Sequence, residues 1–363
     1  MTPNKKIGLI IDKDFAMKHI PPYPHPIFLS YESPMRIESI LTYLNEKKIL
    51  EHDNVSIIEP IEIDDYILEL AHSKYYIDSV KYLSKLGNGL LGEEVFITED
   101  TFGLAKKAVG GAIIAMEKVL SKDVNQSFAL IRPPGHHALR EIGSGLCIFN
   151  NVANAVLYLR EKLQFHDKIA IIDIDDHFGD GLVQYFYSDP SVLYFSVYEY
   201  DYVEGDIGFI DELGDGEGLG TSINFPIPLG SGEEEFLQCL DILKLILKAF
   251  QPELIIVAAG FDMHFSDPIG NCNLTSYSYY KVAKEILKIA EELCEGRLAF
   301  ILEGGYNIIA LPYCVYAVIK ALLNEDYKQP DFEKFKVPGG MKNKEIQKIK
   351  SSLLGLLNKH LNL

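Results

Sequence analysis

Short apolar runs alternate with longer segments of helical periodicity along most of this chain. Seven runs are rich in β-branched and aromatic residues and stay apolar throughout, at 5–11, 54–60, 127–132, 168–174, 191–197, 253–260 and 297–305. Between several of them lie segments whose apolar residues recur every three or four positions, at 104–120, 150–163, 233–250, 277–293 and 310–323. Strands without polar alternation are typical of a parallel sheet that is covered on both faces. The pattern therefore predicts one doubly wound α/β domain, with a central, mostly parallel sheet and helices on both faces.

The alternation stops near the C-terminus. Residues 324–344 fit neither period, and an amphipathic helix is predicted at 345–361. We expect a main domain at 1–330 and a C-terminal extension at 331–363. The short helix of the extension is expected to pack on the domain, and packing on a partner protein is the alternative.

Composition narrows the classes of partner. The formal net charge of −18 argues against nucleic acid and favours cationic ligands, unless the acidity serves solubility alone. No apolar stretch reaches the ~18 residues that a membrane span needs, and the N-terminal segment is expected to form a first strand, not a secretion signal. The five cysteines are scattered, without a Cys-x-x-Cys pair. They indicate reduced thiols in a cytoplasmic protein and argue against a thiolate metal site.

Polar residues follow four of the predicted strands at the point where each strand ends. Function in open α/β sheets gathers at the carboxyl ends of the strands. The segments after these strands carry His136 and His137; Asp175, His177 and Asp180; Asp262 and His264; and Tyr306. We therefore expect one site at this edge of the sheet.

The motif DIDDHFGDG predicts a metal centre. Asp175 and His177 are two residues apart, so they point to one side of an extended segment. With Asp262 from another strand they form a three-ligand set, and catalytic metal sites keep three protein ligands and one open position. The alternative is that Asp175 and Asp180 cap the following helix while His177 fills space.

Two adjacent histidines form the second element of the expected site. His136 and His137 lie in a loop stiffened by two prolines and a glycine, where both side chains can reach one cavity. One could then take a proton while the other supplies positive charge, if each has a carboxylate behind it. Asp173 and Asp180 are available for that role. A surface loop with incidental metal affinity is the alternative.

Tyr306 follows two glycines in LEGGYN. Its phenol could donate a hydrogen bond to an oxyanion that develops during amide hydrolysis. A tyrosine in that position is otherwise a packing residue.

Four motifs in this order resemble the zinc-dependent histone deacetylase and acetylpolyamine amidohydrolase superfamily. They are RPPGHHA, DIDDHFGDG, AAGFDMH with DPIGNCNLT, and LEGGYN, and the likeness extends over about residues 7–324. The chain looks like a class II-like microbial member. The resemblance implies an arginase-like α/β fold.

The resemblance also implies ion sites. It places Zn²⁺, with Fe²⁺ or Co²⁺ as alternatives, on Asp175, His177 and Asp262. It adds a structural K⁺ near Asp173, held by backbone oxygens of Asp175 and His177 and by Ser196.

The same resemblance assigns catalytic roles. It pairs His136 with Asp173 and His137 with Asp180, and it makes His137 the general base and acid. It makes Tyr306 the group that polarises the carbonyl of the substrate.

The resemblance also implies a substrate tunnel, and the residues of its walls are where this sequence departs most from the family. The resemblance places Arg36 beside an internal acetate pocket, and it places Gly145 and Leu146 on a tunnel wall where the family often has an aromatic residue. Ile269 occupies a position where polyamine-specific members carry an acidic residue, and Asp100 is a candidate acidic group at the mouth. The aliphatic Leu146 and the changed opposite wall, described next, put the acyl-chain preference in doubt.

The opposite wall departs further from the family. Tyr198 stands where the family commonly has a histidine, and the Pro-Gly-Thr-Gly segment after it is missing. Tyr200 and Tyr202 are the candidates for this wall.

The expected function is a zinc-dependent amidohydrolase that removes acetyl or other acyl groups from the ε-amine of acetyl-lysine. An acetylpolyamine amidohydrolase is the alternative, and an inactive acyl-lysine binding protein is a further one. A two-metal ureohydrolase is disfavoured because the ligands suffice for one ion. The expected partners are an acetylated lysine in a protein or a small cationic acetylated amine, with neither nucleic acid nor membrane, and the oligomeric state is left open.

Overall fold

The computed structural model describes residues 6–92, 94–202, 205, 207–335 and 342–361. Within them, eight parallel strands form the central sheet. They are β1 Ile7–Ile10, β2 Val55–Ile58, β5 Gln126–Ala129, β6 Ile169–Asp173, β7 Val192–Tyr200, β8 Ser222–Pro228, β9 Leu254–Ala259 and β10 Leu298–Leu302. Their order in the sheet is β2-β1-β5-β10-β9-β6-β7-β8. A separate antiparallel hairpin consists of β3 Asn88–Leu91 and β4 Val95–Thr98.

Eleven α-helices are found in the same described ranges and surround the sheet. They are α1 Phe28–Tyr31, α2 Met35–Glu46, α3 Asp65–Leu68, α4 Lys74–Leu86, α5 Thr101–Leu120, α6 Asn151–Leu163, α7 Asp180–Phe186, α8 Glu233–Phe250, α9 Ser276–Leu293, α10 Leu311–Leu322 and α11 Asn343–Leu361. Three 3₁₀ turns lie at Lys13–Ala16, Gly216–Gly218 and Asp331–Phe335. Helices α4, α5 and α6 contact one another in one group, and α2, α8, α9 and α10 form a chain of contacts in another. The predicted α/β fold with a parallel sheet is confirmed.

Three of the apolar runs form central strands in which every side chain is buried. All residues of β6, β9 and β10 are inaccessible to solvent or nearly so. Some helices begin at a polar side chain that caps them: Thr275 accepts a hydrogen bond from the backbone N–H of Ser278 at the start of α9, and Ser73 caps α4 in the same way. The cap at Thr275 thus ends the loop that follows β9.

Strand β8 and the hairpin were not among the predicted strands. Pro226 and Pro228 disfavour a central strand, since proline donates no hydrogen bond to a ladder. The structure resolves this conflict by placing β8 at the edge of the sheet, where it pairs only with β7.

The C-terminal helix packs on the domain. Helix α11 contacts α8 and β8, and its Ile346, Leu353 and Leu357 are buried in the same core as the sheet. The backbone N–H of Lys342 also donates to Glu235 in α8, at 3.0 Å. The boundary at residue 330 stays a prediction, and residues 336–341 of the irregular segment lie outside the described residues. None of the described helices combines the length and apolar character that crossing a membrane requires.

Candidate active site and metal centre

The sheet order brings the predicted site residues together. Strands β5, β10, β9 and β6 are neighbours, so the loops after them emerge side by side at one edge. Those loops carry His136 and His137, Tyr306, Asp262, and Asp175, His177 and Asp180, respectively.

Asp175, His177 and Asp262 form a compact cluster. One ligand atom from each residue lies within 4.8 Å of the other two. His177 Nδ1 is 3.1 Å from Asp175 Oδ1 and 3.4 Å from Asp262 Oδ2. Both carboxylates are buried, while His177 is half-buried.

The surroundings of this cluster fit a divalent cation. Asp262 Oδ2 is buried and receives no hydrogen bond from the described residues. Burial and the charge of Asp175 raise the pKa of the Asp262 carboxyl, which is the electrostatic stress that a bound cation relieves. Gly304 donates its N–H to Asp175 Oδ2 at 2.9 Å, and a Cβ at Gly304 would approach Asp262 Oδ2 to 2.1 Å. An oxygen–nitrogen–oxygen donor set of this kind is typical of catalytic zinc and of related transition metals.

The helix-capping alternative accounts for none of these contacts. The residue that precedes α7 is Gly179, and Asp180 is the first residue of the helix. Asp175 lies five residues before the helix and instead accepts from the backbone N–H of His177 and of Gly304.

The two histidines are paired with carboxylates in the predicted combination. His136 Nδ1 lies 3.2 Å from Asp173 Oδ2, and His137 Nδ1 lies 2.7 Å from Asp180 Oδ1. The rings of His136 and His137 are 4.0 Å apart between centroids. His136 is buried, whereas the His137 side chain is 18% exposed, so His137 is the member of the pair that a substrate can reach.

Electrostatics separate the two imidazoles. Burial alone would lower the pKa of His136, but the carboxylates of Asp175 and Asp173 raise it to about 10. Burial and the neighbouring charge of His136 lower the pKa of His137. A neutral base therefore stands beside a cation, although a metal ion on Asp175 would oppose the rise at His136.

Glu303, a residue that was not predicted, holds the histidine loop in place. It is fully buried, and its Oε2 accepts the backbone N–H groups of Gly135 at 2.6 Å and of His136 at 3.1 Å. Its position at the end of β10, just before the two glycines, was the signal in the sequence that could have identified it.

Tyr306 is held from two sides. Its backbone N–H donates to Asp267 Oδ2 at 2.7 Å, and the guanidinium carbon of Arg36 lies 4.7 Å from the centre of its ring. Arg36 is itself fully buried and donates from Nε to the carbonyl of Gly305 at 2.8 Å. In this structure Arg36 thus supports the Tyr306 loop, and its predicted role at an acetate pocket stays a prediction.

A cavity of about 360 Å³ unites these groups. Its lining includes His136, His137, His177, Asp180 and Tyr306. The buried Asp175 and Asp262 contact this cavity through His177.

The predicted wall residues Gly145, Leu146 and Ile269 line the same cavity. Leu146 has a φ of +66°, a left-handed conformation that is uncommon for leucine. Ile207 and Glu94 also line it and were not predicted. Glu94 is exposed, and its Oε2 accepts from the backbone N–H of Gly145 at 2.9 Å.

Four residues considered in the sequence lie elsewhere. Asp100 precedes α5 and is not among the cavity-lining residues; the acidic residues that line the cavity are Asp180 and Glu94. His264 turns to Glu333, with 3.1 Å between His264 Nε2 and Glu333 Oε1. Tyr200 and Tyr202 line a different cavity, beside Lys348 and Ile349 of α11.

Two of the four predicted potassium ligands are neighbours in the sheet. Asp173 and Ser196 are register partners in β6 and β7, and Asp173 Oδ1 accepts from the backbone N–H of Asp175 at 3.2 Å. Both are fully buried. A K⁺ ion at this place stays a prediction.

Comparisons with known proteins agree with this architecture. Residues 30–322 match the family described as "Histone deacetylase domain". A probable deacetylase of Archaeoglobus fulgidus is 36% identical over 322 residues, which cover 88% of this chain and 87% of that protein. Histone deacetylase 10, chloroplastic, of Oryza sativa is 33% identical over 312 residues, covering 81% of this chain and 70% of that protein.

A solved structure is similar over almost the whole chain. The crystal structure of the HDA15 HD domain aligns with a TM-score of 0.82 at 26% identity and covers 98% of this chain and 95% of that one. The recognised motifs, the sheet and the relatives thus lead to one conclusion. This chain belongs to the histone deacetylase family.

Proposed function

We propose that this chain is a zinc-dependent deacetylase that removes the acetyl group from the ε-amine of acetyl-lysine. The family to which it belongs supports a hydrolase of the deacetylase type. The observation that carries the finer proposal is the meeting of three elements in one cavity: the Asp–His–Asp cluster, the two His–Asp pairs and Tyr306.

Asp175, His177 and Asp262 would hold the metal. A divalent ion bound there would act as a Lewis acid and would lower the pKa of a water molecule toward neutrality. Zn²⁺ fits the donor set, and Fe²⁺ or Co²⁺ are accepted by the same ligands.

His137 moves the proton. Its lowered pKa keeps it neutral, so it can accept a proton from the attacking water and return it to the leaving amine. The Asp180 carboxylate, 2.7 Å from Nδ1, fixes the ring so that Nε2 is the working nitrogen. His136 is the buried cation beside it and supplies positive charge without transferring the proton.

The phenol hydroxyl group of Tyr306 donates a hydrogen bond to the oxyanion of the tetrahedral intermediate. Asp267 and Arg36 hold the residue at the cavity wall before the substrate arrives, so little reorganisation is needed. The products are acetate and a free amine.

The cavity wall favours a lysine side chain. Leu146, Ile207 and Ile269 offer apolar surface to its methylene stem. Glu94 lies where a substrate N–H group, or a second ammonium group of a polyamine, would find a carboxylate acceptor. The proposed preference for lysine therefore rests on Ile269. Because of Glu94, a small cationic acetylated amine is the alternative substrate.

Turnover of an acetyl-lysine peptide and of acetylspermidine, measured side by side on the purified chain, tests the proposal. We expect a higher kcat/KM for the peptide, and His137→Ala should abolish activity on both substrates. Preference for acetylspermidine would overturn the substrate assignment. Binding of the acetylated peptide without any turnover in the metal-loaded chain would instead identify an inactive binding protein.

A further inference from the structure

A second cluster of metal-binding side chains lies next to the catalytic one. Asp176, Glu199 and Cys272 each offer a ligand atom, and the three atoms lie within 4.8 Å of one another. They come from the loop after β6, from β7 and from the segment before α9. None of them belongs to the ligand set or the His–Asp pairs of the proposed mechanism.

The two carboxylates are held close together by a shared donor. The backbone N–H of Asn271 lies 3.2 Å from Asp176 Oδ2 and 3.1 Å from Glu199 Oε2. The Asn271 side chain donates to Glu199 Oε1 at 2.8 Å. The amide group is neutral, so it brings no positive charge to the two carboxyl groups.

The carboxyl of Asp176 also carries an unpartnered atom. Asp176 is fully buried, and its Oδ1 receives no hydrogen bond from the described residues. Neither carboxylate forms an ion pair with a lysine or arginine in the part of the chain that the structure describes. A buried carboxylate oxygen without a donor is costly unless a proton or a cation compensates it.

The geometry points to a second cation site, formed by Asp176, Glu199 and Cys272. Two carboxylate oxygens and one thiolate form a mixed donor set of the kind that Zn²⁺, Co²⁺ and Fe²⁺ accept, whereas Mg²⁺ and Ca²⁺ prefer oxygen alone. Glu199 is half-buried and gives the ion a route from solvent. In the sequence, the scattered cysteines argued against a thiolate metal site. The three ligands proposed here could not be recognised as a group there, because they come from distant segments of the chain.

A cation in this site would stabilise the catalytic loops. The backbone N–H of Asp176 donates to Asp262 Oδ1 at 2.9 Å, so the second site adjoins a ligand of the first. Cys272 follows Ile269 by three residues in the loop that lines the substrate cavity. Gly270 lets this loop pack directly on Asp176, since a Cβ there would lie 2.5 Å from Asp176 Oδ2.

Cobalt substitution separates the two sites. The metal-free full-length chain is titrated with CoCl₂ while bound cobalt and the near-ultraviolet thiolate-to-cobalt charge-transfer band are recorded. The catalytic ligands contain no sulfur, so only the second site can produce that band. We expect about two Co²⁺ ions per chain with the band in the wild type, and about one ion without the band in Cys272→Ser.

Three further variants make the result decisive. His177→Ala should lose the catalytic ion and keep the band, and Cys147→Ser, which removes a buried thiol near the active site, should also keep it. Glu199→Gln, at the half-buried end of the cluster, should weaken binding of the second ion, and its circular dichroism spectrum controls for folding if Cys272→Ser is unstable. One ion per chain without the band, or a band that survives in Cys272→Ser, would overturn the inference whether or not the chain deacetylates any substrate.

Discussion

Replacing Tyr306 by phenylalanine removes a single oxygen atom from the active site. The ring of Tyr306 packs with Leu29, Leu146 and Phe96. The guanidinium carbon of Arg36 lies 4.7 Å from the centre of the same ring. The backbone of the residue is held by Asp267, at 2.7 Å. Phenylalanine keeps all these contacts, so the position of the loop and the metal ligands should be unchanged.

The expected loss is that of one oxyanion donor. A donor of this kind contributes about 2.7–4 kcal/mol to the transition state, so kcat should fall ~100- to 1,000-fold. The value of KM should change little, because the hydroxyl group acts on charge that develops only in the transition state.

Steady-state kinetics on an acetyl-lysine peptide, together with metal analysis of the same samples, measure this effect. Tyr31→Phe is the matched control: Tyr31 packs against the same cluster without lining the active-site cavity, and its kcat should stay within about twofold of the wild type. A Tyr306→Phe variant with unchanged kcat would show that Tyr306 is a packing residue. A variant that loses the metal would show that its effect is structural.

Three other changes test separate parts of the account. His137→Ala should abolish turnover because no neighbouring group can carry the proton, whereas His136→Ala should reduce kcat less; the reverse order in stopped-time assays would mean that their roles are exchanged. Ile269→Glu should raise kcat/KM for acetylspermidine relative to acetyl-lysine by roughly 5- to 100-fold, from the ~1–3 kcal/mol of a charge-assisted hydrogen bond, and an unchanged ratio would place the determinant elsewhere, with Glu94 the first alternative. Burial lowers the pKa of His72 to about 4, so the unfolded chain binds a proton first as the pH falls. The free energy of unfolding should therefore decrease between about pH 6.5 and 4, by at most ~3 kcal/mol, in urea titrations, and a His72→Gln variant with the same pH dependence would contradict this assignment.

The sequence alone was sufficient to locate the strand ends, but it did not determine the order of the strands in the sheet. The runs that became β5, β6, β9 and β10 are apolar throughout, so their ends and the polar residues that follow could be located from composition. Their adjacency in the sheet depends on packing between distant segments and came from the family resemblance and the structure. Asp175 and Asp262 could be expected in one place because each lies within three residues of a strand end, and their ligand atoms lie within 4.8 Å of each other.

The positions of His264 and Glu94 depend on tertiary contacts that leave no local signal. His264 follows a strand end just as Asp262 does, but its partner Glu333 lies 69 residues further along the chain. Glu94 lies in the turn between β3 and β4 and reaches the cavity because this hairpin folds back; neither of the two strands was recognised in the sequence. Asp100 was the acidic candidate by position in the sequence, and the hairpin places Glu94 there instead.

Dependence of activity on the ion held by Asp175, His177 and Asp262 tests the central claim most directly. The chain is stripped with a chelator, assayed on an acetyl-lysine peptide, and assayed again after one equivalent of Zn²⁺ is returned. We expect activity to vanish and to recover with the metal, and His177→Ala and Asp262→Ala each to bind one ion fewer than the wild type and to show no turnover. Full amidase activity in metal-free protein, or in either variant, would contradict the account.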